Sequence, residues 1–195
     1  MKILIAIPTF ENIMPEVFKA VYGMRTAPYW AMFDYVKGYD CATARNRIAK
    51  EAIDGDFDYV LMCDSDTVMP NDALERFLEY PADIVLGLCP RKNTKIGRCE
   101  IYKLGTEGFQ SFYTYPTLPT EPRVLIKGGG LACALIKTEV FKKLEYPWFK
   151  YVHYDNGEEL SEDLYFCCKA TEVGYNIFAD TRVRCGHAMR KFQYE

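Results

Sequence analysis

The stretch Tyr59-Val60-Leu61-Met62-Cys63-Asp64-Ser65-Asp66 decides the fold. It is an apolar run rich in Val, Leu and Tyr that ends abruptly in two carboxylates one residue apart. Such a run reads as a buried strand. Side chains at i and i+2 of an extended chain point the same way, so Asp64 and Asp66 are expected to aim their oxygens at one point. In open α/β sheets the carboxyl ends of the strands are where ligands bind. Two converging carboxylates repel each other and are costly to desolvate unless a cation joins them. A hard divalent cation that also holds phosphate oxygens is the natural third party.

Toward the N-terminus, Ile3 to Ile7 is a short apolar strand, followed by a loop, Pro8-Thr9-Phe10-Glu11-Asn12. A helix is expected from about Pro15 to Tyr22, with proline suited to its first turn. Tyr29 to Tyr35 reads as a second strand, and Asp40 closes the loop before a second helix, about Ala42 to Ile53. In that helix Arg45, Ile48, Ala49 and Ala52 share one face, while Arg47, Lys50 and Glu51 lie outside. A crossover helix starts on the sheet edge where its strand ended. Arg45 and Asn46 are therefore expected to point toward the cleft holding Asp64. The plainer alternative is an Arg45 that snorkels outward to a surface carboxylate.

Toward the C-terminus, a short helix follows Pro70-Asn71-Asp72, and Asp83 to Cys89 is another buried strand. Three strand–helix units in sequence imply a parallel half-sheet with right-handed crossovers. Residues from about Asn93 to Lys127 break this rhythm and read as an insertion beside a site, with short strands near Glu100–Leu104 and Arg123–Lys127. Gly128-Gly129-Gly130 then precedes a strand, Leu131 to Ile136, where glycine would let another molecule approach the backbone. Thr138 is expected to cap a short helix. Ser161 is a good N-cap for a helix ending at Gly174. Asp163 falls on the face of Phe166, Cys167 and Ala170 and should point inward. Glu162 is expected to be solvated or paired.

Composition narrows the class. The 195 residues suffice for one domain with a real core, and 49% hydrophobic with 26% charged residues is a globular balance. A net charge of −3 offers no basic field for a nucleic-acid backbone, so no nucleic-acid partner is expected. None of the eight cysteines forms a CxxC pair, which argues against zinc ribbons and thioredoxin-like motifs and suits a reducing, cytoplasmic setting. No apolar run approaches transmembrane length.

Asp163, at a helix start, is held ionised by the helix dipole; burial has to offset that effect if it is to act as a base. His187 taken alone is more often structural than a ligand.

The ordered set of features resembles the GT-A fold glycosyltransferases, especially the inverting, family 2-like group related to bacterial polysaccharide synthases. The matching segments are Ile5-Ala6-Ile7-Pro8-Thr9-Phe10, Ala44-Arg45-Asn46, Asp64-Ser65-Asp66, Gly128-Gly129-Gly130, Glu162-Asp163 and His187. The resemblance implies an α/β fold: one GT-A domain over 1–195, its mostly parallel sheet flanked by helices, with a small acceptor-side β portion. Residues 1–92 would be the nucleotide-sugar half, and 93–195 the acceptor side with a C-terminal metal-binding segment. It further implies that Asp66, with Asp64 and His187, holds Mn²⁺ or Mg²⁺. Thr9, Asp40, Arg45, Asp64 and Ser65 would face the donor, a UDP-sugar in the family's commonest usage. Asp163 would deprotonate an acceptor hydroxyl on a glycan or other molecule, and Arg190 or Lys191 would close over the diphosphate. Two departures stand out. Tyr35–Asp40 replaces the family's usual "DDGS" segment, and the short chain implies a small acceptor or a partner domain on a longer polypeptide.

Three rivals remain open. Val60 to Val68 also fits the haloacid-dehalogenase phosphatase motif, with Asp64 as nucleophile and Asp66 as acid/base, although that motif normally sits on the first core strand. A sugar nucleotidyltransferase would carry a glycine-rich loop after the first strand, and Pro8–Asn12 has no glycine. A non-catalytic nucleotide-sugar-binding module would bind the donor without turnover.

Overall fold

The computed structural model describes residues 1–80, 82–92, 97–105 and 108–188. Its strands are β1 Lys2–Thr9, β2 Trp30–Lys37, β3 Tyr59–Cys63, β4 Thr67–Val68, β5 Ile84–Leu88, β6 Arg98–Tyr102 and β7 Phe112–Thr114. They continue as β8 Arg123–Ile126, β9 Gly128–Gly129, β10 Cys133–Lys137, β11 Val152–His153, β12 Glu159–Leu160, β13 Ile177–Arg184 and β14 Gly186–His187. The helices are α1 Pro15–Tyr22, α2 Cys41–Asp54, α3 Ala73–Glu79, α4 Thr138–Lys143 and α5 Glu162–Glu172.

Seven strands form one sheet in the order β2-β1-β3-β10-β5-β13-β8. Strands β1, β3 and β5 are buried almost end to end, as strands covered on both faces must be. One core packs α2, α4 and α5 against one face, through Ala42, Ile48, Phe141 and Phe166 among others. A second packs α1 and α3 against the other face, through Val17, Val21, Leu74 and Phe77. The protein is a mixed α/β structure with a large central sheet flanked by helices.

Two strands depart from the parallel expectation. Strand β10 enters between β3 and β5 and runs antiparallel to both. Strand β8, from the irregular segment, runs antiparallel to β13 at the sheet's edge. A hydrophobic run tells that a strand is buried but not which way it runs. The glycines before β10 serve the chain itself: a Cβ on Gly129 would lie 2.5 Å from the Glu100 carbonyl oxygen, because β9 pairs closely with β6. Ser161 caps α5 as expected, its Oγ accepting from the Leu164 N–H at 3.4 Å. Lys137, not Thr138, occupies the N-cap of α4.

Candidate functional site

The site grows from the end of β3. After Cys63 the chain does not stay extended: the Thr67 N–H donates to the Asp64 carbonyl at 3.0 Å, folding Asp64-Ser65-Asp66 into a tight turn. The alternation rule of strands therefore does not set the direction of these carboxylates, and each meets a different cation. Asp64 Oδ1 accepts from Arg45 Nη2 at 2.8 Å. Asp66 pairs with the exposed Lys92. Ser65 contributes its carbonyl, which accepts from the Met14 N–H at 3.0 Å ahead of α1.

Arg45 is the centre of the arrangement. Helix α2 buries the stripe read from its periodicity, and within it Arg45 is only 1% exposed. Its Nη1 donates to Glu162 Oε1 and lies 2.5 Å from Asp163 Oδ1 as an ion pair. Asp163 Oδ2 accepts from the Leu131 N–H at 3.1 Å, while Oδ1 is buried without a hydrogen bond. One guanidinium thus faces three carboxylates, those of Asp64, Glu162 and Asp163.

That excess of negative charge in a poorly hydrated place shifts the titrations. Burial pushes the Asp163 carboxyl up to about 7; Arg45 pulls it down, while Glu162 and Asp64 add to the rise. Burial also raises Asp64, against the pull of Arg45 and with the help of Asp66. Burial works against the charge of Arg45, but Asp163 and Asp64 outweigh it and hold the guanidinium protonated. Beside the cluster, burial raises the Cys41 thiol, and burial with the nearby Glu162 raises the Tyr151 phenol.

A cavity of about 200 Å³ adjoins it at the carboxyl ends of β1 and β2, lined by Pro8, Thr9, Phe10, Tyr39, Asp40 and Cys41. Thr9 donates its hydroxyl to the Asn12 carbonyl at 2.9 Å. Asp40 caps α2, accepting from the Thr43 N–H at 3.0 Å, and hydrogen bonds from Thr43 hold its carboxyl below the usual range. Thr9 and Asp40 thus share one hollow, and Arg45 stands beyond Cys41 in the carboxylate cluster.

The short strand β14 runs antiparallel to β4, placing His187 opposite Thr67, and the Ala188 N–H donates to the Asp66 carbonyl at 2.9 Å. The far C-terminal segment is therefore stitched to the Asp64–Asp66 turn. Among the described residues no group of three or more His, Cys, Asp or Glu side chains gathers as a metal cage. Arg190 and Lys191 lie outside the described residues.

One residue behaves differently from expectation. Asn46 does not reach the cleft; its Oδ1 accepts from the Trp148 and Phe149 N–H groups at 3.0 and 3.1 Å and its Nδ2 donates to the Phe149 carbonyl. Of the two outcomes expected for Glu162, solvated or paired, it takes the second: it pairs with Arg45 and is 6% exposed. It shares its own helical face with Phe166 and Ala170, a pattern that was present in the spacing. Lys92 and Tyr151 carried no sequence signal, since each acts through a contact distant along the chain.

No family model matches this sequence, and no curated protein does. Solved structures do match. A197 from STIV superposes with a TM-score of 0.68 at 18% identity, over 97% of this chain and 87% of that one. GalNAc-T7 with UDP, GalNAc and Mn²⁺ superposes at 0.59 and 10% identity, over 96% of this chain and 44% of that one. S. aureus TarS 1-349 superposes at 0.51 and 13% identity, over 93% and 60%. The chain has a GT-A-like fold. In this GT-A-like frame the Asp64–Asp66 turn and the start of α5 meet across Arg45 at the rim of the central sheet. No helix among the described residues is long and apolar enough to cross a membrane.

Proposed function

We propose that this protein is a metal-dependent glycosyltransferase that moves a sugar from a nucleoside diphosphate sugar, a UDP-sugar, to an acceptor hydroxyl with inversion. One observation carries this reading. Arg45 ties Asp64, at the end of β3, to Asp163, whose carboxyl is pushed up to about 7 by burial. A base that titrates near neutrality is suited to take a hydroxyl proton. The GT-A-like fold and the UDP, GalNAc and Mn²⁺ held by GalNAc-T7 support the substrate class.

The donor base would lie in the hollow between Phe10 and Tyr39, with Thr9 and Asp40 at its wall. Asp66 and Asp64, with His187 alongside, would hold Mn²⁺ or Mg²⁺. These residues suit an ion that arrives with phosphate oxygens: Asp66 is partly exposed and its paired cation is a surface lysine, easily displaced. When bound, the ion stabilises the departing diphosphate as a Lewis acid. The Asp163 carboxylate takes the acceptor proton. Arg45 and Glu162 fix that carboxyl in place, and the Leu131 N–H orients its Oδ2. Gly130 lets the loop pack close beside it: a Cβ there would stand 3.3 Å from Glu100 Cβ and 3.7 Å from Asp163 Oδ2. A single base facing the acceptor is consistent with one displacement and hence inversion.

The phosphatase alternative asks Asp64 to attack phosphorus, but the motif lies on β3 rather than on the first core strand. A screen of nucleotide-sugars with and without Mn²⁺, following nucleotide release, separates the readings. Metal-dependent UDP release from a UDP-sugar supports transfer. A trapped aspartyl-phosphate with no response to any nucleotide-sugar would move the assignment to the phosphatase, and binding without release to a non-catalytic module.

A further inference from the structure

The outward face of α2, across the helix from Arg45, separates two aromatic hollows. The first, about 560 Å³, is lined by Thr43, Asn46, Arg47, Lys50, Tyr146 and Trp148. The second, about 610 Å³, shares Arg47 and Lys50 but also carries the carboxylates of Glu51 and Asp54 beside Trp30 and Phe57, so the acid-free side is the first hollow. Arg47 and Lys50 stand between the two. Both volumes fall in the range of small-ligand sites. No carboxylate of the described residues lines the first hollow, although the chain as a whole carries a net charge of −3.

The aromatic wall is built in advance. Asn46 holds the backbone of Trp148 and Phe149 with three hydrogen bonds. The Trp148 indole N–H donates to the Phe141 and Leu144 carbonyls at 2.8 and 3.1 Å. Tyr146 packs edge-on against Trp148, 5.3 Å between centroids at 89°, and stays 66% exposed. Thr43 is committed to Asp40, and Lys50 to Asp54 at 2.5 Å. Arg47 is not committed to an anion: it stacks on Tyr39 at 3.9 Å and has no carboxylate partner among the described residues.

The uncommitted chemistry is therefore exposed aromatic surface beside a guanidinium. A guanidinium has donors only and matches the oxygens of carboxylate or phosphate. Fixed ring faces accept the apolar C–H face of a pyranose at little cost in side-chain ordering. We propose that the first hollow binds an acidic glycan, an oligosaccharide whose rings carry carboxylate or phosphate groups. Arg47 takes the acid, and the exposed Tyr146, backed by the buried Trp148, takes the neighbouring sugar face. The site is separate from the carboxylate cluster and stands whether or not sugar transfer occurs there.

The test is calorimetric titration of the full chain with oligogalacturonate, a phosphorylated oligomannoside, neutral maltohexaose and inorganic tripolyphosphate. Saturable binding of an acidic oligosaccharide, about tenfold tighter than of maltohexaose or tripolyphosphate, is expected. The carboxylate and phosphate arms tell which acid is read. Arg47→Ala and Tyr146→Ala should each weaken that binding about tenfold with an unchanged melting temperature, and Tyr146→Phe should retain it. Asp163→Asn should leave it intact, so failure of the transfer reading is recognisable separately. Equal binding of tripolyphosphate, equal binding of maltohexaose, indifference to both alanine variants, or no saturation by either acidic sugar would each overturn the proposal.

Discussion

Two arginine–carboxylate networks among the described residues differ in stoichiometry. At the far side of the sheet Asp180, fully buried, is gripped by Arg182 through two hydrogen bonds of 3.0 and 2.7 Å. Arg182 also reaches Glu79 at 2.6 Å, and Arg123 stands 3.7 Å from Asp180. Two cations meet two carboxylates, and Tyr80 lies under both guanidiniums. Asp180 drives the Arg182 pKa further above its usual range through hydrogen bonds. At the other network Arg45 alone serves three carboxylates, and Asp163 is pushed up to about 7. A balanced network locks strands together. An unbalanced one keeps a proton in play and leaves room for an arriving cation.

The contrast can be broken at several points. The largest effect is expected from Asp163→Asn, which should cut transfer by about 10²–10⁴-fold while leaving donor affinity intact; undiminished turnover would place the base elsewhere. The same variant has a stability signature. The folded protein keeps a proton on Asp163 up to about pH 7, whereas the unfolded chain releases it near its ordinary value of 3.8. Stability contributed by that proton is present below about pH 4 and is lost as pH climbs toward 7. Asp163→Asn should therefore match the wild type in acid and exceed it at pH 8, read by urea denaturation at both values. A variant less stable than wild type at pH 8 would contradict the charge imbalance.

Asp180→Ala should do the reverse, costing about 3 kcal/mol of stability by leaving two arginines without their buried partner, with nucleotide binding unchanged. Loss of binding at constant stability would erase the distinction between the networks. The smallest effect belongs to Lys92→Ala. Removing the surface partner of Asp66 should tighten Mn²⁺ binding only a few-fold, since such pairs are worth about 0–1 kcal/mol. Weaker Mn²⁺ binding in that variant would mean that the lysine supports the ion.

Much of this was legible in the sequence where a single periodicity governed it. Arg45 lies on the buried stripe of α2 with Ile48, Ala49 and Ala52 because a helix repeats every 3.6 residues whatever surrounds it. The cap at Ser161 was local chemistry of the same kind. The turn at Asp64–Asp66 escaped notice because alternation holds only while the chain stays extended, and the hydrogen bond that bends it appears only in the fold. Glu162 stood one residue from Asp163 on an equally amphipathic face, and only the position of Arg45 decided that both turn inward. The antiparallel entry of β10 depends on where a long excursion returns, which no local pattern encodes.

The most direct test is calorimetric titration of UDP with and without Mn²⁺ into the wild type and Asp66→Ala. Saturable binding that requires Mn²⁺ in the wild type and disappears in the variant is expected. Binding that ignores the metal, or survives loss of the Asp66 carboxylate, would contradict a cation-bridged diphosphate at the rim of the sheet.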